Sequence, residues 1–230
     1  MYQRKTFPYI RLLSLNDPTI IFSPKYLRAI FVRHPLERLA SAFTDKITSL
    51  KNEPFTLYDD IRRAICRKFA SSYLTEDQQK FYKIQNEKKP LVDEPCQNVI
   101  PTFEHFLEYL MRFDIKADVH WKPYSSLCHV CLFRYNFIGK FETIQDDFER
   151  IVQYLGLSAN DWIKDDYFQS GKNKDNYKLM YSNLTDKYLC YLKQFYESDF
   201  KLFDYQLEDY LLNNRTIHCK TKFYIPRYLL

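Results

Sequence analysis

Phe31-Val32-Arg33-His34-Pro35-Leu36-Glu37-Arg38-Leu39-Ala40-Ser41-Ala42-Phe43 changes its hydrophobic period halfway along. Together with Ala29 and Ile30, its first residues form a short apolar run suited to a buried strand. Proline at position 35 favours the first turn of a helix, where a missing N–H costs nothing. From there Leu36, Leu39, Ala40, Phe43 and Ile47 recur at helical spacing, an apolar stripe facing a core. The stretch therefore predicts strand, tight turn, helix. Arg33 ends the strand, at the edge where open α/β sheets bind ligands. The first N–H groups of the following helix have no partner within it, which makes a ready anion site. Ser41 lies near Arg38 and Glu37, off the apolar stripe. An arginine fork, a helix N-terminus and a hydroxyl can thus converge on one phosphate group. The plainer reading is that Arg33 closes an ion pair with Glu37 and Ser41 is filler.

A second unit repeats the logic. Phe137 to Phe141 reads as a strand, Thr143 as an N-cap, and Asp146 and Asp147 as first-turn acids. Ile144, Phe148, Ile151, Val152 and Leu155 are its expected buried face, and Gly156 its stop. Further helices are expected at Leu57–Ala70, Thr102–Met111 with Thr102 as cap, and Thr185–Ser198. The polar region from Thr75 to Asn98 reads as a helix end followed by a long surface loop. Strands that feed helices predict an α/β fold, a parallel sheet flanked by helices, in one domain over residues 1–230.

Composition excludes several chemistries. The 230 residues include only three glycines, Gly139, Gly156 and Gly171, too far apart for a P-loop, a dinucleotide-binding turn or a nucleophile elbow. The five histidines contain no HExxH pair, so a zincin is excluded too. With 34 Lys+Arg against 29 Asp+Glu the net charge is +5, which suits an anionic ligand without demanding nucleic acid. Aromatic residues are 18% of the chain, as fitted to a large core as to sugar stacking.

The six cysteines, an even count, suit a disulfide set in an oxidising compartment, with the pairing open. Cys128-His129-Val130-Cys131 is a single CxxC without the second pair that a structural zinc site would need, so no metal is expected. Asn183-Leu184-Thr185 and Asn214-Arg215-Thr216 are N-glycosylation sequons. No apolar run reaches the roughly 18 residues of a transmembrane helix, and the first residues lack the apolar core of a secretory signal.

Residues 31–43 resemble the 3′-phosphate-binding motif of Golgi carbohydrate sulfotransferases, above all the chondroitin/dermatan 4-O- and HNK-1-type group, where it reads FVR-x-PFERL-x-SAY. Further segments follow in the family's order. Pro101-Thr102-Phe103-Glu104-His105-Phe106 resembles its TFEEF helix. His120-Trp121-Lys122-Pro123 with Leu127 to Cys131 resembles its HW-x-P…LCHPC stretch. Tyr135 to Thr143 resembles YDFIGKYET, and Tyr196 to Tyr205 the terminal Y-x-x-DF-x-x-F-x-Y. The resemblance covers roughly residues 10–206.

It implies the three-layer, P-loop-like sulfotransferase fold and transfer of a sulfuryl group from 3′-phosphoadenylyl sulfate (PAPS) to a sugar hydroxyl. The acceptor it implies is an anionic polysaccharide of the chondroitin/dermatan kind, with no metal and no nucleic acid. Arg33 and Ser41 map onto the grip on the nucleotide's 3′-phosphate. The family's upstream loop, PK-x-GC-x-NWKR, wraps the 5′-phosphosulfate, and nothing between Met1 and Phe31 matches it. The expectation is an N-terminally truncated form of a glycoprotein that is, at full length, a type II membrane protein facing the Golgi lumen. The alternative is a degenerate relative that binds nucleotide or glycan without turnover.

Sulfuryl transfer needs a base for the acceptor hydroxyl, and histidine is the usual choice. His120 is the candidate, against a purely structural role beside Trp121. His34 adjoins the phosphate turn as a weaker candidate, and His129 reads as structural. Lys140 and Glu142 read as a buried pair supporting the sheet. Arg62, Arg63, Arg67 and Lys68 share one helix and can hold an acidic polysaccharide or protein, or form a solvated face.

Overall fold

β1 (Ala29–Val32) and β2 (Phe137–Lys140) pair in parallel, with Ala29 opposite Phe137 and Val32 opposite Lys140. The computed structural model describes residues 22–49, 57–84, 94–112, 118–157, 174–213 and 215–225. Among them these two strands are the whole sheet, and helices supply the rest of the framework. The α/β class with a parallel sheet is as expected. Gly139 stands opposite Phe31, and a Cβ on it would lie 2.5 Å from the Phe31 ring. The bare backbone leaves the room that this ring fills against Phe137 and Phe148.

α1 (Pro35–Ala42) follows β1 with Pro35 in its first turn and continues into a π-helical turn, Phe43–Ile47. The predicted stripe is fully realised: Leu36, Leu39, Ala40, Phe43 and Ile47 are all buried. They meet α2 (Leu57–Lys68) through Ile61 and Ile65, and α5 (Phe103–Arg112) through Phe106 and Leu110. α9 (Lys174–Ser182) adds Tyr181, and α10 (Asp186–Phe195) adds Leu189, Leu192 and Phe195. A smaller cluster joins Ile30 and Val32 to Val130, Phe203 and Tyr205. Part of the aromatic surplus is core: Trp121, Tyr181, Tyr191, Tyr196 and Tyr210 are buried. Tyr181 donates to the Leu36 carbonyl and Tyr196 to the Trp121 carbonyl, each at 2.6 Å, so their hydroxyls enter the interior satisfied.

Several expectations need correction. α4 (Glu76–Ile84) occupies part of the expected surface loop, after the short α3 (Ala70–Tyr73). α8 (Ile144–Tyr154) is preceded by a 3₁₀ turn, Phe141–Thr143, and the Thr143 hydroxyl donates to Asp147 rather than capping the helix. Ile151 and Val152 are buried, but Leu155 is exposed, because the helix ends there and Gly156 (φ 65°) turns the chain away. The helix expected at 185–198 breaks at Tyr196, giving α10 and then α11 (Glu197–Phe203). The Thr102 cap is borne out by a 3.2 Å bond from the His105 N–H.

The basic face of α2 is committed internally. Arg62 is buried, pairs with Asp59 and donates to the Ser49 carbonyl at 3.0 Å. Arg63 pairs with Asp60, and Arg67 with Glu94. Asp59 and Asp60, one helical turn away, and Glu94 from a separate segment already pair these three guanidiniums, while Lys68 is exposed. Disulfides join Cys66 to Cys96 and Cys190 to Cys219, while Cys128 and Cys131 are free thiols. Asn183 of the first sequon is exposed. Asn214 of the second and Gly171 lie outside the described residues.

Candidate functional site

A cleft of about 480 Å³ opens where β1 runs into α1. Its walls include Arg33, Ser41, Lys46, His120, Tyr124 and Phe141. The three side chains singled out from sequence, Arg33, Ser41 and His120, therefore share one cavity. α6 (Tyr124–Leu127) contributes Tyr124 and Leu127 to its lining.

Arg33 is one-fifth exposed. Its Nε and Nη2 donate to Glu37 Oε1 at 3.0 and 2.6 Å, so the plainer reading of this residue is realised. The guanidinium also stacks over Phe141, 4.8 Å from the ring centroid. Among the described residues its Nη1 has no partner, and the group still borders the cleft. Glu37 is buried and also receives the Tyr210 hydroxyl. Its charge is compensated from two sides, as a buried carboxylate requires.

The open helix N-terminus expected after Arg33 is mostly closed. Pro35 has no N–H to offer, and the Leu36 N–H is taken by His34 Nδ1 at 3.2 Å. The His34 N–H goes to Glu142 Oε1 at 2.7 Å. The residue after the arginine is itself the N-cap, so of the first helical N–H groups only that of Glu37 is left for an anion among the described residues, and side chains must supply the rest. His34 is buried, and its Nε2–H donates to the Gln206 carbonyl at 2.9 Å. Burial lowers its pKa despite Asp209, Glu142 and Glu37 nearby. With both ring nitrogens engaged, His34 is a structural residue rather than a base.

Lys140 and Glu142 serve separate partners. Glu142 Oε2 accepts from Tyr205 at 2.7 Å, while Lys140 Nζ reaches the Asp204 carbonyl at 3.2 Å. Neither is fully buried. They tie the strand ends to the α11 terminus instead of to each other.

His120 lies in the cleft wall with its side chain about one-third exposed. Its Nδ1 is 2.8 Å from Asp118 Oδ1 and 2.7 Å from the Tyr58 hydroxyl. Tyr58 also donates to Asp118 Oδ2 at 3.3 Å, and Asp118 Oδ1 accepts the His120 N–H at 2.9 Å. Burial and the Asp118 charge push the Tyr58 hydroxyl up to about 12, so it stays a donor. A carboxylate facing Nδ1 requires the proton there, which leaves Nε2 as the basic nitrogen. Among the described residues Nε2 has no hydrogen-bond partner.

The loop that carries His120 is pinned from below. Arg38 donates to the Lys122 carbonyl at 2.7 Å and to the Val119 carbonyl, and lies over the Tyr124 ring. Trp121 is buried under the loop. Asp199 of α11 caps α6, accepting from the Tyr124 and Ser125 N–H groups at 2.7 and 2.8 Å. Sequence reading missed Asp118, Tyr58, Lys46 and Asp199. Asp118 left a faint signal, a carboxylate two residues before the histidine, the spacing of an Asx turn. Tyr58 is brought in from a distant element and left none, whereas Lys46 follows α1 by one turn and Asp199 falls in the segment that resembles the family's terminal motif. Lys46 pairs with Asp45 at 2.8 Å in the π-helical turn.

Among the described residues no cluster of His, Cys, Asp or Glu is arranged to hold a metal, and no helix is long and apolar enough to cross a membrane. Burial raises the Cys128 thiol above its ordinary value, so it is a poor nucleophile.

The model of the sulfotransferase family matches residues 4–206. Mouse carbohydrate sulfotransferase 11 is 27% identical over 193 residues, 81% of this chain and 49% of its own. Human carbohydrate sulfotransferase 9 is 29% identical over 191 residues, 78% of this chain and 38% of its own. Zebrafish carbohydrate sulfotransferase 11 is 30% identical over 192 residues, 81% and 49% respectively. The chain spans about half the length of the curated relatives it matches. No solved structure matches it. A family match over most of the chain, on a strand, turn and helix that bring Arg33, Ser41 and His120 to one cleft, places this protein in the sulfotransferase family.

Proposed function

We propose that residues 1–230 form one sulfotransferase-like domain that transfers a sulfuryl group from PAPS to a hydroxyl of a glycan, of the chondroitin/dermatan type. The convergence of Arg33, Ser41 and His120 on a single cleft carries this reading. In it, the outer edge of Arg33 and the Ser41 hydroxyl hold the nucleotide's 3′-phosphate. Glu37 keeps the guanidinium in place and also takes part of its charge, so the hold is a directed fork rather than an intense field. His120 Nε2 takes the acceptor proton as the sugar oxygen attacks sulfur. The bond from sulfur to the bridging oxygen breaks, and 3′-phosphoadenosine 5′-phosphate leaves. Positioning and charge neutralisation are the main demands of such a transfer, by analogy with phosphoryl transfer. The disulfides and the exposed sequon asparagine support a site of action in the Golgi lumen.

Calorimetry with 3′-phosphoadenosine 5′-phosphate tests the donor half. A charge-assisted bond contributes about 1.5–3 kcal/mol, so Arg33→Ala is expected to weaken binding roughly 10–150-fold. Unchanged affinity in a folded variant removes Arg33 from the site. Transfer of 35S from labelled PAPS onto a panel of desulfated glycosaminoglycans tests the whole reaction. Nucleotide binding without incorporation would favour the non-catalytic relative.

A further inference from the structure

We propose that Asp118 and Tyr58 are positioning residues that fix the tautomer and direction of His120, so that Nε2 presents a lone pair to the cleft. This rests on the reading of His120 as the base. The observation is a closed triangle: imidazole Nδ1 to carboxylate at 2.8 Å, imidazole to phenol at 2.7 Å, phenol to carboxylate at 3.3 Å. Its corners come from different places, Tyr58 from α2 and the other two from the pinned loop.

Hydrogen-bond arithmetic allows one arrangement that satisfies all three corners. An unprotonated Nδ1 would turn its lone pair toward a carboxylate oxygen. With the proton on Nδ1, both Asp118 Oδ1 and the phenol oxygen accept from it, and the phenol proton goes to Asp118 Oδ2. Asp118 is only 11% exposed and takes a third bond from the His120 N–H, so the carboxylate cannot swing away. The loop cannot drift either, because Arg38 holds its carbonyls on both sides of Trp121. When Nε2 accepts the acceptor's proton, the new imidazolium lies beside the Asp118 charge. The carboxylate stabilises it and takes up no proton itself.

The test uses the full 230-residue chain labelled with 15N in histidine, the His120 signals being assigned by their loss in His120→Gln. Wild type is expected to show the Nδ1–H tautomer. Asp118→Asn, whose amide can donate to Nδ1, is expected to shift His120 toward Nε2–H and lower the 35S transfer rate about 10²–10⁴-fold. Affinity for 3′-phosphoadenosine 5′-phosphate should not change. Tyr58→Phe keeps the ring and removes the donor, for an expected loss of roughly tenfold. An Nε2–H tautomer in wild type, or one unchanged by Asp118→Asn, overturns the proposal. So does a transfer rate that Asp118→Asn leaves intact. If wild type transfers no label, the proposed reaction fails, and the tautomer result alone then decides whether Asp118 and Tyr58 position the ring.

Discussion

His34 shows how a residue beside the cleft becomes part of the frame. Its ring caps α1 through Nδ1 and clasps the Gln206 carbonyl through Nε2, so it must be neutral in the fold. Burial lowers its pKa below the ordinary 6.5. The unfolded chain therefore takes up this proton first as the pH falls. The stabilising contribution is complete above about pH 6.5 and is lost as pH drops through the depressed folded value. Urea unfolding at pH 7.5 and 5.5 should show a smaller acid-side loss in His34→Asn, which can still cap the helix, than in wild type. Equal losses in the two proteins would refute this assignment. Arg33 is the contrasting case. It holds Glu37 with one edge and borders the cleft with the other, so Arg33→Ala should cost some stability as well as nucleotide affinity.

At the scale of elements, the β1–β2 pair is short and depends on one close fit. Phe31 lies across Gly139, and its ring occupies the volume a side chain there would need. Gly139→Ala must push the ring off Phe137 and Phe148 or bend the strand. Overpacking of this kind costs about 1–3 kcal/mol, measurable as a lower thermal midpoint. A midpoint equal to wild type would mean the ring moves freely. The terminal segment around Tyr196 and Asp199 works as a brace rather than as a site. Tyr196 holds the Trp121 carbonyl and Asp199 holds the start of α6, so the His120 loop is gripped just after the histidine and at its exit by one unit, α10–α11.

For the whole molecule, two disulfides tie peripheral segments to the helical core. Cys66–Cys96 fastens residues 94–99 to α2, and Cys190–Cys219 fastens residues 215–225 to α10. The loops they close span 30 and 29 residues, for which a disulfide contributes roughly 2–4 kcal/mol each. Reduction with dithiothreitol should lower the urea midpoint markedly in wild type and not in a variant lacking all four cysteines. A midpoint insensitive to reduction would show that packing alone holds these segments. Gln194 adds a polar clasp on the same C-terminal segment, accepting the Phe223 N–H at 2.9 Å.

Local pattern by itself determined the strand–turn–helix unit, the apolar stripe of α1, the Thr102 cap, the Gly156 stop and the α/β class. Each rests on contacts within a few residues or on a hydrophobic period, which the order of residues expresses directly. It also identified Arg33, Ser41 and His120 as candidates, through resemblance to a family. It failed where a polar group's partner lies far away in the chain. Nothing near residue 120 announces Tyr58, and nothing near Arg62 shows that it points inward to backbone carbonyls. The anion-ready helix end is mostly closed because His34 caps it and Glu142 takes the His34 N–H. Which donor meets which acceptor depends on how elements pack, and only the tertiary structure decided that.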